Sequence, residues 1–179
     1  MGQYYKAVIL NSKKQKTVMF AVSWDFGSGA KLMEHSWMLN GFVGAFEQIL
    51  VDNPQPVVWA GDYANEEKCG NNIYTLCDSA TKIAGKKDST SLPKKFKYLI
   101  NHDKKVFVDK TKTPLDSDGG QIHPLPLLTC EGNGLGGGDF RGNDYSELVG
   151  SWSRDIISVT SRKSDIPKGF SEIIINFTE

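Results

Sequence analysis

The sequence predicts an α+β fold: a mainly antiparallel β-sheet with one or two helices packed on a face. Segments rich in aromatic and β-branched residues outnumber the segments with helical periodicity. Short polar turns join most of these segments, which favours antiparallel pairing. The chain has 179 residues, a usual length for one domain, and we expect a single globular domain over residues 1–179.

The first half of the chain begins with a predicted β-hairpin. Residues 4–10 and 17–24 have the composition of strands, and the polar stretch 11–16 separates them. A glycine-containing loop follows at 25–29, and residues 31–37 show no clear preference for helix or strand. The sequence therefore predicts one strand pair at the start and leaves its continuation open.

A helix is expected to begin after Asn40, which has a side chain that caps helix N-termini. Apolar residues then recur on one helical face, at Phe42, Phe46, Ile49 and Leu50. The Asn-Pro pair at 53–54 ends this helix. A buried strand is predicted at 57–60 and a second helix at 72–82.

The second half of the chain predicts more strands than helices. Residues 96–101 and 106–109 form a second predicted hairpin, after a polar surface loop at 85–91. Residues 125–129 are apolar and suggest a strand that prolines interrupt. The chain closes with predicted strands at 155–160 and 170–177.

Composition excludes several functional classes. Twenty-one basic residues balance twenty-one acidic ones, so net charge does not draw the protein to nucleic acid or to an anionic membrane. No apolar run reaches the 18 residues that a membrane span needs. The first residues lack a signal-peptide pattern, and the three cysteines have spacings that suit reduced thiols, so we expect a cytoplasmic protein without a membrane partner.

The most unusual feature is the glycine-rich loop, residues 131–144, which holds six glycines between 132 and 142. Its G-x-G-x-x-G match does not predict a dinucleotide site, because no regular strand precedes it and no helical period follows it. Two interpretations stay open beside a purely structural one. The backbone N–H groups could bind an anion with help from Arg141, or acidic side chains could bind a hard cation such as Mg²⁺, namely Glu131, Asp139 and Asp144.

Other candidate residues could complete a site. His35 or His123 could join Asp139 in the folded chain, and Cys130 would be a nucleophile if a histidine lay beside it. Trp59 and Asp62 end a predicted strand, where they could form an aromatic and acidic rim with Trp24 and Asp25. Ordinary packing is the competing interpretation for each of these residues.

Several segments carry a resemblance to a known group of proteins. They are MGQYY at 1–5, AKLMEHS at 30–36, VVWAGDY at 57–63, HPLPLLT at 123–129, and GNG and GGGD at 132–134 and 136–139. On these segments the chain resembles a family of uncharacterised small proteins of bacteria and their phages. The resemblance covers most of the chain and implies no assigned activity, but phage-type proteins of this size are often binders that act on host machinery.

Three functional hypotheses follow. The leading one is a phage- or mobile-element-type binding protein, for example an anti-CRISPR inhibitor of a bacterial defence system, whose partner is a host protein or nucleoprotein complex. The second is a metal- or phosphate-dependent hydrolase or transferase centred on Glu131, Asp139 and Arg141, with Mg²⁺ as its cofactor. The third is a protein that sequesters a nucleotide in the glycine-rich loop.

Overall fold

The computed structural model describes residues 2–85, 96–116, 118–140 and 147–175. Within these ranges the chain forms nine strands and four short α-helices, which confirms the α+β class. The helices are α1 Leu32–His35, α2 Gly41–Ile49, α3 Ile73–Leu76 and α4 Pro124–Thr129. The strands are β1 Tyr5–Leu10, β2 Thr17–Val22, β3 Gln55–Gly61, β4 Thr81–Lys82, β5 Tyr98–Asn101, β6 Val106–Asp109, β7 Cys130–Glu131, β8 Ile156–Thr160 and β9 Ser171–Glu172.

The described strands form one mixed sheet in the order β4-β2-β1-β3-β8-β5-β6-β9, with β7 also paired to β3. The longer pairs, β1 with β2 and β3 and β5 with β6 and β8, are antiparallel. The parallel pairs β2–β4, β3–β7 and β6–β9 each join only two residues per strand. The predicted antiparallel pairing therefore holds for the body of the sheet, and parallel pairing is confined to short additions.

Strand β3 joins the two halves of the sheet. Its first two residues pair with β8, whereas its later residues pair with β1 on one side and β7 on the other. The pair formed by Ala60 and Glu131 places the start of the glycine-rich loop beside the end of β3. The register of β3 thus positions the candidate site.

Both faces of the central sheet are covered. Alternate residues of β1 and β3, such as Ile9 and Trp59, face the larger core that contains α2 and α4. Their neighbours, such as Val8 and Val58, pack instead with Ile73 of α3. Helices therefore lie on two faces rather than one, because central strands that are apolar on both sides need cover on both.

Several predicted elements need correction. Residues 125–129 form a helix, since Pro124 stands at its first turn, where proline is tolerated, and His123 caps it. The second predicted helix is much shorter than residues 72–82, because a 3₁₀ turn and β4 follow α3. The Asn40 cap is confirmed by hydrogen bonds from the backbone N–H groups of Phe42 and Val43.

The opening hairpin and the second hairpin are confirmed, and the undecided segment at 31–37 contains α1. Of the predicted loop at 85–91, residues 86–91 lie outside the described residues. In the part of the chain that the structure describes, no helix is long and apolar enough to cross a membrane.

Candidate functional site

The glycine-rich loop leaves β7 and is described as far as Phe140; Arg141 and Asp144 lie outside the described residues. The loop packs against Gln3, which is fully buried. With its amide oriented to satisfy its neighbours, Gln3 donates to Asp139 Oδ2 at 2.8 Å and to Asn133 Oδ1 at 3.2 Å. The same amide accepts a hydrogen bond from the backbone N–H of Tyr63 at 3.2 Å. Gln3 therefore ties the loop to the residues that follow β3.

The carboxylate of Asp139 is engaged inside the loop. The Tyr5 hydroxyl donates to Oδ1 at 2.9 Å, and the backbone N–H of Gly136 donates to Oδ2 at 3.0 Å. Burial raises the pKa of Tyr5, and the charge of Asp139 adds to this, so the phenol stays a hydrogen-bond donor. Together with the Gln3 amide, these donors explain why Asp139 is buried.

The carboxylate of Glu131 is engaged at the other end of the loop. Arg154 donates through Nε to Oε2 at 2.8 Å and through Nη2 to Oε1, and the Ser153 hydroxyl donates to Oε2 at 2.7 Å. Burial alone would raise the pKa of Glu131, but the hydrogen bonds from Arg154 and Ser153 outweigh it and lower the pKa. Arg154 also contacts Glu67 at 2.5 Å. Glu131 thus belongs to a charged group with Arg154 and Glu67, which connects the start of the loop to the segment after β3 and to the segment before β8.

Close packing explains part of the glycine content. A Cβ added to Gly136 would overlap the side chain of Gln3 and lie 2.8 Å from the backbone nitrogen of Gln3. Gly134 has a φ of +69°, which disfavours residues with a Cβ. The N–H groups of Leu135 and Gly136 donate to Asn133 Oδ1 and Asp139 Oδ2, so side chains of the loop itself occupy these positions of the predicted anion nest.

A cleft of about 250 Å³ lies beside the loop, lined among others by Tyr5, Cys130, Glu131, Asp139, Phe140 and Ser153. Burial raises the pKa of the Cys130 thiol to about 12, and the thiol donates to the Leu127 carbonyl at 3.3 Å. A neutral thiol is a poor nucleophile. The geometry therefore does not support the nucleophilic interpretation of Cys130.

His35 does not join the loop acids. Its Nδ1 donates to the Gly29 carbonyl at 3.0 Å, and its Nε2 accepts from Trp59 Nε1 at 2.8 Å. Burial lowers the pKa of His35 to about 4, so the ring is neutral near pH 7. Both ring nitrogens are engaged in the core, and the predicted pairing of His35 with Asp139 is wrong.

His123 lies in a different buried group, which we call the Glu47 cluster: Glu47, Lys110 and His123. Lys110 Nζ is 2.5 Å from Glu47 Oε1, and His123 Nε2 is 3.4 Å from the same oxygen. His123 Nδ1 accepts from the backbone N–H of Leu125 at 3.1 Å, so the neutral ring carries its proton on Nε2. The second oxygen of Glu47 has no hydrogen-bond partner among the described residues. The predicted pairing of His123 with Asp139 is therefore also wrong.

Sequence reasoning missed Glu47 and Lys110. The sequence pattern puts Glu47 outside the apolar face of α2, but the structure buries it completely. The spacing of the residues indicates its burial, because Val43, Glu47 and Leu50 recur at helical intervals and all three are on the buried side of α2.

The predicted rim at the strand ends is only partly formed. Trp59 is fully buried in the central strand β3, so its assignment to a rim is wrong. Asp62 is half-buried, and its Oδ1 accepts from the backbone N–H of Tyr4 at 3.0 Å. Trp24 is exposed, and Asp25 pairs with Lys82 at 2.8 Å.

Within the described ranges, no group of three or more histidine, cysteine or acidic residues is placed to hold a metal ion. The chain matches no family model, no curated protein and no solved structure in the comparisons with known proteins.

Proposed function

We propose that this protein is a non-catalytic binding protein that docks on a protein subunit of a bacterial defence complex, as an anti-CRISPR inhibitor does. Support comes first from the chemistry of the site. The two described loop acids and both candidate histidines are engaged in internal contacts, and the thiol of Cys130 is neutral. These groups hold the fold together, which favours a role in binding over one in catalysis.

The observation that carries the proposal is an exposed apolar side chain in the described part of the loop, next to a closely packed glycine. Leu135 is 77% exposed, although Gly136 beside it packs on the buried Gln3. One exposed aromatic residue adjoins the same support, because Tyr63 donates its backbone N–H to the Gln3 amide. We call Tyr63 and Leu135 the docking surface.

The chemistry of the docking surface favours a protein partner. Aromatic residues such as tyrosine are enriched at the centres of protein interfaces, and a segment that is already packed loses little conformational entropy on binding. A formal net charge of zero gives no long-range attraction to a phosphate backbone. The phage-type resemblance of the sequence agrees with a host protein as target.

The proposal is tested by phage plating on strains that each carry one CRISPR–Cas system, with and without expression of the protein. Plating efficiency is expected to rise with one system, and the purified protein is expected to elute with that effector at equal stoichiometry. Leu135→Asp should weaken the affinity about 30-fold or more, as the loss of an interface hot spot does.

Leu115→Asp is the matched control, because Leu115 is also a highly exposed leucine but lies outside the docking surface. Unchanged plating with every system tested would overturn the role as an inhibitor. An equal loss of affinity in both variants would overturn the assignment of the docking surface.

A further inference from the structure

A second cleft, of about 490 Å³, opens on the sheet face that α3 covers. Its walls include Lys6, Phe20, Trp24, Tyr74, Asp78 and Lys82. The volume lies in the range of small-molecule sites, and basic and aromatic side chains are combined around it. We call it the Lys6 cleft.

The charged group inside the Lys6 cleft is a buried ammonium. The side chain of Lys6 is 6% exposed, and its Nζ donates to Asp78 Oδ1 at 2.6 Å and to the Tyr74 carbonyl at 3.0 Å. The same nitrogen lies 3.9 Å from the centroid of the Tyr74 ring and 5.6 Å from that of Phe20. A buried lysine needs a negative partner, and here Asp78 supplies it.

Asp78 is a replaceable partner. Its side chain is 63% exposed, whereas the ammonium that it binds is buried. An exposed carboxylate loses little when it returns to water, so the anion of a ligand can take its place beside Lys6. The position next to Nζ is thus suited to an anion in general.

The entrance of the cleft adds a stacking surface and a second cation. Trp24 is 50% exposed although it is the largest apolar side chain that lines the cleft. Lys82 is exposed as well and pairs only with Asp25, at 2.8 Å, among the described residues. A flat ring can stack on Trp24 while an anionic group reaches the two lysines.

We infer that the Lys6 cleft binds a nucleotide unit, with its base stacked on Trp24 and its phosphate between Lys6 and Lys82 in place of the Asp78 carboxylate. Once Asp78 is displaced, two ammonium groups face one remaining carboxylate among the described residues, that of Asp25, so the cleft favours an anionic ligand over a cationic one, and the indole favours a planar ring. This site shares no residue with the docking surface. It goes beyond the proposed function and does not depend on it.

The test is isothermal titration calorimetry with adenosine 5′-monophosphate, adenosine, inorganic phosphate and a single-stranded oligoadenylate. The monophosphate is expected to bind at one site, about tenfold more tightly than adenosine, because a charge-assisted phosphate contact is lost in the nucleoside. Tighter binding of the oligoadenylate would identify a strand as the source of the nucleotide unit, and tighter binding of the monophosphate would identify the free compound. Absence of binding by both at millimolar concentration would overturn the inference.

Three variants test the geometry. Trp24→Ala should weaken binding at least about fivefold through loss of base stacking. Lys82→Gln should weaken binding of the monophosphate more than binding of the nucleoside. Lys112→Gln removes another exposed and paired lysine and should change the affinity for neither ligand. Asp78→Asn should strengthen binding of the monophosphate, because it removes the competing carboxylate.

Weaker binding in Asp78→Asn, or unchanged binding in Trp24→Ala, would contradict the proposed arrangement. Circular dichroism and urea unfolding establish that each variant is folded. Leu135→Asp should keep the wild-type affinity for the monophosphate, so that failure of the docking surface and failure of the Lys6 cleft give different results.

Discussion

The glycine-rich loop and the Glu47 cluster both shield carboxylates from solvent, but with different hydrogen-bond partners. Near the surface, Asp139 is held by a phenol and a backbone amide, and Glu131 by a guanidinium and a hydroxyl. In the core, Glu47 is held by the ammonium of Lys110 and the imidazole of His123. The residue types resemble those of catalytic sites in both places, but the hydrogen-bond partners indicate a structural role.

Burial makes the two regions differ in energy. Ion pairs with access to water contribute little to stability, so a substitution in the Glu131–Arg154 pair should alter the free energy of unfolding only slightly. The Glu47 cluster has almost no access to water, and the loss of either charged member, Glu47 or Lys110, leaves an uncompensated charge. The following predictions test this difference, from the largest expected effect to the smallest.

Lys110→Met should lower the free energy of unfolding by about 3–5 kcal/mol, because it leaves the carboxylate of Glu47 buried without a cation. Urea unfolding measures the change. The double variant Glu47→Gln, Lys110→Met should recover much of the loss, since it removes both charges.

Lys112→Met is the control, because Lys112 is an exposed lysine two residues away with an acidic partner, Glu172. It should leave the unfolding midpoint near that of the wild type. If the double variant loses as much stability as the sum of its two single variants, the charges do not compensate each other and the account of the cluster is wrong.

Acid should weaken the core before it weakens the loop. Burial lowers the pKa of His123, and of His35 to about 4, so both rings are neutral in the folded protein near pH 7. The unfolded chain takes up protons below a pH of about 6.5, and stability therefore falls as the pH drops from there; His35 alone contributes a loss of about 3 kcal/mol by a pH of about 4. The lowered pKa of Glu131 gives a loss only at lower pH, from the ordinary glutamate pKa of 4.5 downward.

Urea unfolding at a series of pH values between 7.5 and 3 measures these contributions. His35→Gln should flatten the profile between pH 6.5 and 4. Arg154→Met should change the profile mainly below pH 4.5, because it removes the partner of Glu131. Wild-type stability that stays constant down to pH 5 would show that the buried histidines take up protons in the folded state.

Local patterns were enough to predict much of the fold. The hairpins, the capped helix after Asn40 and the α+β class follow from alternation, turns and caps that lie within short stretches of sequence. The parallel additions β4, β7 and β9 join only two residues each to their neighbours, so no period was long enough to reveal them. The pattern of residues 125–129 predicts an interrupted strand, whereas the structure has a helix there, because proline is tolerated in the first turn of a helix.

The candidate site was less accessible from the sequence. The unusual loop was found, and its tight packing on Gln3 agrees with the structural interpretation of its glycines. The partners of its acids, Tyr5 and Arg154, are distant in sequence from Asp139 and Glu131 respectively. Contacts of this kind depend on the register of the sheet, which a single sequence does not reveal.

Two glycines of the loop are required for different reasons, one for close packing and the other for its backbone conformation. Their variants should have the smallest effects on the free energy of unfolding. Gly136→Ala should lower the free energy of unfolding by about 2 kcal/mol, because the new Cβ would overlap Gln3 and shift the N–H group that donates to Asp139. Gly134→Ala should cost about 1 kcal/mol, since Gly134 has open space around it and only its positive φ opposes a side chain. Urea unfolding of both variants measures the difference. Equal costs would mean that the loop yields at Gln3, and the loop would then be less rigid than the docking surface requires.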